Sequence, residues 1–279
     1  ERTTTKYNLK GLSQAEVSDC GAALSRMGEG ASNMEQAANK IIRHLYDQMT
    51  DQVAGGRSFA LVRFYKTHPY GYLGEGLREF ARGILGSAPE SEEMNCLTMF
   101  ATAGDKLEWN SRGNSSGHRA IPLASTDMVA QIPMTWQLLS QFGVNVNSVL
   151  KTDPALIAEM ESKSYGTFHV AEAAGSPYIP AQDDFVLPNG IKSVLDFGGV
   201  LGPGHLSPPS CFQRPPLPST LRGCSIPCRR TLNKRYYRTK AVYSPVEVGE
   251  VNPRAKGNYR SRLALSFLGV EDRRYSINF

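Results

Sequence analysis

The sequence predicts an α/β chain of the α+β kind: one antiparallel sheet with flanking helices, followed by an irregular C-terminal tail. Three observations predict it. Apolar residues recur at helical spacing over residues 12–49. Short β-branched and aromatic runs recur at 58–65, 95–101, 167–170 and 191–201. The chain then changes character at about Leu206, where prolines 208, 209, 215, 216, 218 and 227 crowd one stretch.

The elements follow in order. Val17, Ala22, Leu24 and Met27 give a first helix over 12–27, ended by Gly28 and Gly30. Ser32–Glu35 has the form of a capping box, with Ser32 at the N-cap and Glu35 at N3. The helix it opens buries Ala38, Ile41, Ile42, Leu45 and Met49 on one face. A strand over Ser58–Tyr65 precedes a loop at His68–Gly71 and a helix over Leu77–Leu85. Asn95–Ala101 is a second strand, Asn110–His118 a polar loop, and Ile121–Leu123 a short edge strand. Ser125 or Thr126 caps a helix to Phe142, bent at Pro133. Asp153 and Pro154 open another helix to about Ser162. Thr167–Val170 is a third strand, Ser176–Gly190 a long connection, and Ile191–Leu201 a fourth strand. Gly202–His205 is a hairpin turn, so a fifth strand is due. The prolines that follow are expected to exclude it.

Charge divides at the same place. From residue 201 onward there are 14 Lys+Arg against 4 Asp+Glu, leaving 17 against 22 before it. The formal charge of +5 therefore joins an acidic first part to a basic tail. No acidic residue stands between Asp196 and Glu247, which is unusual for a folded surface. Codons shifted by one base from Leu206 would read apolar-small-small-apolar-apolar-apolar-Ser, the pattern of the missing strand. The expectation is a domain at 12–206, C-terminally incomplete, with 207–279 out of frame. DNA sequencing through codon 206 checks it. The alternative is a real basic tail that binds nucleic acid, with Arg229–Arg238 placing aromatics among positive charges.

No run of 18 apolar residues predicts a membrane span. Glu1 opens the chain without a Met or an apolar leader, as an internal fragment would. Cys20 and Cys96 sit singly in apolar patterns, which suits reduced core thiols and a cytoplasmic location. His205, Cys211, Cys224 and Cys228 have spacings that fit no zinc knuckle. No metal, catalytic residue or cofactor is assigned.

The run AGSPYIPAQDDFVLPNGIKSVLDFGG (174–199) is distinctive. With AALSRMGEGA (22–31), ALVRFYKTHP (60–69) and LTMFATAG (97–104), it resembles the N-terminal sensory region of bacterial multidomain signalling proteins. Such regions precede PAS, histidine-kinase or diguanylate-cyclase modules. The element order is also similar to a GAF domain. The resemblance implies a non-enzymatic signal-input domain in a two-component-type system. It would bind a small ligand or partner domain, and its N-terminal helix would relay state or form a homodimer. It supplies no ligand residues.

Candidate residues come from local chemistry. Tyr178, Gln182 and Asp183, in the proline-ordered 176–190 segment, are the expected wall of a ligand pocket. Arg112, His118 and Arg119 bracket a loop that could close over an anion, or be an ordinary surface loop. His68 is expected to face solvent, and His169 to point from one sheet face. Asp183 and Asp184 are adjacent, so on an extended chain they diverge and cannot share a proton.

Overall fold

The computed structural model describes residues 6–27, 29–53, 55–115, 117–151, 167–197, 199–201 and 205–214. A short parallel pair, β1 (Tyr7–Asn8) and β2 (Met49–Thr50), brackets helices α1 (Gln14–Met27) and α2 (Met34–Gln48). Both helices start on side-chain caps. At α1 the Ser13 hydroxyl accepts from the Glu16 amide at 3.2 Å, and the Glu16 carboxylate accepts from the Ser13 amide at 2.8 Å. This is a capping box. The one expected at Ser32–Glu35 lies a residue later: Asn33 Oδ1 accepts from the Gln36 amide at 2.8 Å, and Gln36 Oε1 from the Ser32 amide at 2.7 Å. Glu35 is thereby released for a distant partner.

The main sheet comprises β3 (Phe59–Pro69), β4 (Asn95–Gly104), β5 (Ala120–Pro122), β6 (Thr167–Val170), β7 (Ser193–Phe197) and β10 (Pro209–Gln213). Its order is β5-β4-β3-β10-β7-β6, with every neighbouring pair antiparallel. A hairpin of β8 (Gly199–Leu201) and β9 (His205–Ser207) leads into β10. Helix α3 (Glu75–Leu85) follows β3. After β5 come α4 (Thr126–Ala130), α5 (Pro133–Phe142) and α6 (Asn147–Leu150). Pro133 breaks the expected single helix into α4 and α5, opening the second at N1. The helix expected at 154–162 lies outside the described residues.

Two expectations fail. First, the strand that prolines were expected to exclude is present at the centre of the sheet. Pro209 is its first residue, where a missing N–H removes least from the ladder. Pro208 sits in the β9–β10 link and only accepts, its carbonyl taking the Tyr65 amide at 3.1 Å. Ser210, Cys211, Phe212 and Gln213 then pair with β3 on one side and β7 on the other. The expected boundary at Leu206 thus falls inside β9, and the written sequence itself fills the slot for which a shifted frame was invoked. Second, β3 runs four residues further than expected. His68 and Pro69 are strand residues opposite Cys96 and Asn95, and His68 is buried.

Strand alternation gives the sheet two apolar faces. Val62, Phe64, Cys96, Phe100, Ala101 and Cys211 pack with Cys20 and Leu24 of α1, Ile41 and Ile42 of α2, and Leu77 of α3. Leu61, Tyr65, Met99, Val194 and Phe212 pack with Val129, Leu139 and Val149 of α4–α6, and with Ile179 and Val186 of the 176–190 segment. Among the described residues no helix is long and apolar enough to cross a membrane.

Candidate functional site

The sequence-selected residues do not converge. Arg112 is buried on the α2 side, bonded to Glu35 at 3.0 Å and to the Met99 carbonyl at 3.2 Å. Burial lowers the Arg112 pKa and raises that of Glu35, in each case outweighing the partner's pull. Arg119 lies over the Phe80 ring of α3 at 4.8 Å. His118 has φ 61°, and burial, then the nearby Arg63 charge, lowers its pKa. Tyr178 and Gln182 belong to the opposite face. Tyr178 meets Phe168 edge-on at 5.6 Å. The Gln182 side chain holds its own segment closed, accepting from the Gly175 amide at 2.8 Å and donating to the Ile179 carbonyl at 2.7 Å and the Ala173 carbonyl at 3.1 Å. Asp183 and Asp184 are exposed on a π-helical turn over Gln182–Val186. The two candidate loops do meet, but through Trp109 and Phe185, whose rings lie 5.6 Å apart.

Sequence reasoning missed the most unusual group, which lies where β3 passes β9. Lys66 and His68 stand two residues apart on β3 and share a face. Lys66 is 1% exposed, His68 1% and His205 0%. Lys66 Nζ is 3.2 Å from His68 Nδ1 and 5.8 Å from the Phe100 ring centre. The rings of His68 and His205 are 6.2 Å apart, and the Thr67 hydroxyl accepts from the Leu206 amide at 2.9 Å, locking β9 to β3. Continuing the β3–β10 register sets Ser207 opposite Lys66 and His205 opposite His68. Among the described residues no carboxylate pairs with Lys66. Burial alone brings its pKa down to about 7. Burial and the Lys66 charge hold His68 and His205 at about 2, so both rings are neutral. Buried lysines without a counter-charge are rare because desolvating an ammonium is expensive.

A second polar row crosses the other face, where Ser210 of β10 lies between Arg63 and Asp196. Asp196 is 2% exposed; burial raises its pKa to about 7, opposed by a hydrogen bond with Ser210. Tyr65 bonds to Arg63. His169 of β6 is half-buried. Cys20 and Cys96 are buried with their thiols pushed up to about 12, and burial also raises Cys211 well above the usual thiol range, so no thiolate forms at neutral pH. Among the described residues no group of three or more His, Cys, Asp or Glu is placed to hold a metal ion. Cys224, Cys228 and the basic run Arg229–Arg238 lie outside the described residues.

No protein-family model matches the chain, and a search of curated proteins finds none significantly similar to it.

Proposed function

We propose that the chain is a non-enzymatic sensory domain, GAF-like in build and cytoplasmic, that binds a small ligand and relays its state through α1. The output module in the parent protein would be of the histidine-kinase or diguanylate-cyclase kind. The observation that carries the reading is Lys66, buried without a carboxylate partner among the described residues, with the neutral rings of His68 and His205 beside it. Such an arrangement costs stability in the free domain, and a ligand recovers it. Phe100 touches both Lys66 and His68 and belongs to the same apolar cluster as Cys20 and Leu24 of α1. Repacking around the group therefore has a direct route to that helix. Counted within the main sheet alone, the strand order is 3-2-1-6-5-4, which supports the GAF-like reading, as does the inert state of the cysteines.

The test is amide hydrogen exchange of the full chain against a panel of small metabolites, screened first by melting temperature. The expected result is a compound that stabilises the chain and changes exchange both at 66–72 and within Gln14–Met27. A stabilising compound that leaves α1 unchanged refutes the relay, since a ligand must prefer one state to transmit anything. A panel without any stabilising compound refutes the ligand.

A further inference from the structure

A basic surface forms where α2 meets the turn after β4. Its base is Tyr46 of α2, a buried residue whose hydroxyl donates to the Asp105 carboxylate. Two guanidinium groups lie over that one ring, Arg57 at 4.7 Å and Arg43 at 5.6 Å. A third, from Arg214, pairs with the same Asp105. Asn110 ties in a fourth cation. It accepts from Arg43 at 2.7 Å and donates to the Lys106 carbonyl at 2.7 Å, and the Lys106 ammonium lies 5.0 Å from the Trp109 ring centre. All four cations are exposed. Asp47 answers Arg57, and Asp105 answers Arg214. Among the described residues Arg43 and Lys106 have no carboxylate partner, and Glu108 on the same turn pairs with neither. Each arginine is bonded through Nη2. A guanidinium carries five N–H donors, so each keeps others for a partner in solvent.

The chain leaves the sheet at this surface, since β10 ends at Gln213 and Arg214 follows it. From residue 201 onward Lys and Arg outnumber Asp and Glu by 14 to 4, and Tyr236 and Tyr237 stand among the basic residues of 229–238. β10 pairs in the written frame, which removes the reason for discounting that charge. We propose that the Arg43–Arg57–Lys106–Arg214 surface binds the phosphate backbone of a nucleic-acid strand, which continues onto the basic sequence after Arg214. Guanidinium forks match phosphate oxygens, and each charge-assisted bond adds geometric fit. Two like charges over one ring repel each other, and phosphates relieve that repulsion. A small anion would meet two or three of these groups; a strand meets the folded surface and the sequence beyond it. The two tyrosines favour nucleic acid over an acidic peptide, because bases stack on aromatic rings. This binding goes beyond the sensory reading and does not rest on it.

The experiment titrates a fluorescein-labelled thymidine oligonucleotide with the full 279-residue chain, read by fluorescence anisotropy between about 50 and 200 mM salt. The wild type is expected to bind, with an affinity that falls steeply as salt rises. Arg43→Gln combined with Lys106→Gln removes the two cations without carboxylate partners. This double variant is expected to bind at least about tenfold more weakly at the lowest salt, and to reduce the log–log salt slope by about 1.4, as for two single-strand phosphate contacts. Lys106→Gln alone leaves the side-chain bonds of α2 intact and is expected to give about half of that slope change. Lys151→Gln is the control: Lys151 is exposed and bridges to Met94, at the other end of β4 from Asp105. It is expected to bind as the wild type does. A wild-type chain that does not bind overturns the proposal. Undiminished binding by the double variant overturns it too, because the sequence after Arg214 then acts alone. An equal loss in Lys151→Gln overturns it in favour of net charge. Displacement by polyglutamate as effective as by unlabelled oligonucleotide of equal charge overturns it in favour of an acidic protein partner.

Discussion

The rings of His68 and His205 lie 6.2 Å apart, tilted by 41°. One belongs to the first strand of the main sheet and the other to the hairpin that precedes its last. Their meeting depends on β9 running alongside β3, and it places two neutral imidazoles next to Lys66. The polar centre of the domain is thus built from segments at opposite ends of its chain order.

Burial of that centre makes stability depend on pH, with a sign that can be worked out. Lys66 sits at about 7 in the folded chain, against about 10.4 unfolded. His68 of β3 and His205 of β9 lie beside it, and Thr98 of β4 stands opposite it. Between those two values the unfolded chain keeps a proton that the folded chain has released. Stability therefore rises with pH from about 7 to about 10.4, by up to ~1.4 kcal/mol per unit. Urea midpoints at pH 7, 8 and 9 are expected to climb in the wild type and to stay level in Lys66→Met.

Asp196 acts in the opposite direction. Its folded pKa is about 7, against about 3.9 unfolded. In that window the folded chain holds a proton the unfolded chain has lost, so this group lowers stability as pH rises. Asp196→Asn removes the effect. Its stability relative to wild type is expected to grow between pH 4 and 7 and to be constant above 7. A gap that is the same at pH 4.5 and pH 8 contradicts the burial of a charge there.

Strand β10 joins the two halves of the sheet, β5-β4-β3 and β7-β6. A chain ending at Leu206 lacks it and is expected to show no cooperative unfolding transition. A chain ending at Arg214 keeps β10, the Arg214–Asp105 ion pair and the Arg214 amide bond to the Ser58 carbonyl. It is expected to unfold cooperatively in urea, monitored by circular dichroism.

Gln182 and Asp183 separate by role. Gln182→Ala removes the internal bonds of the 173–190 segment and is expected to cost about 1–3 kcal/mol, with faster exchange of the Gly175 amide. Asp183→Ala, at an exposed site, is expected to change stability by less than about 0.5 kcal/mol.

The α2 cap is tested by a pair of alanine changes. Asn33→Ala is expected to cost about 1 kcal/mol. Ser32→Ala keeps the Ser32 amide that Gln36 accepts from, and is expected to cost a few tenths of that, about 0.3 kcal/mol.

The sequence by itself determined the elements whose signals are local. Helical spacing located α1, α2 and α3, because an amphipathic face repeats within a few residues. Alternation and β-branching located β4, β6 and β7, and Pro133 marked a helix discontinuity through its missing N–H. What only the tertiary structure decided needs distant partners. Pro209–Gln213 has no strand signature, yet it pairs on both sides because β3 and β7 leave a slot one strand wide. His68 looks like a loop residue until Cys96 stands opposite it. Asn33 rather than Ser32 caps α2, and Glu35 pairs instead with Arg112, 77 residues away. Lys66 lies one residue past the strand expected at Ser58–Tyr65; burial, a property of the assembled sheet, turns it into the most unusual group in the domain.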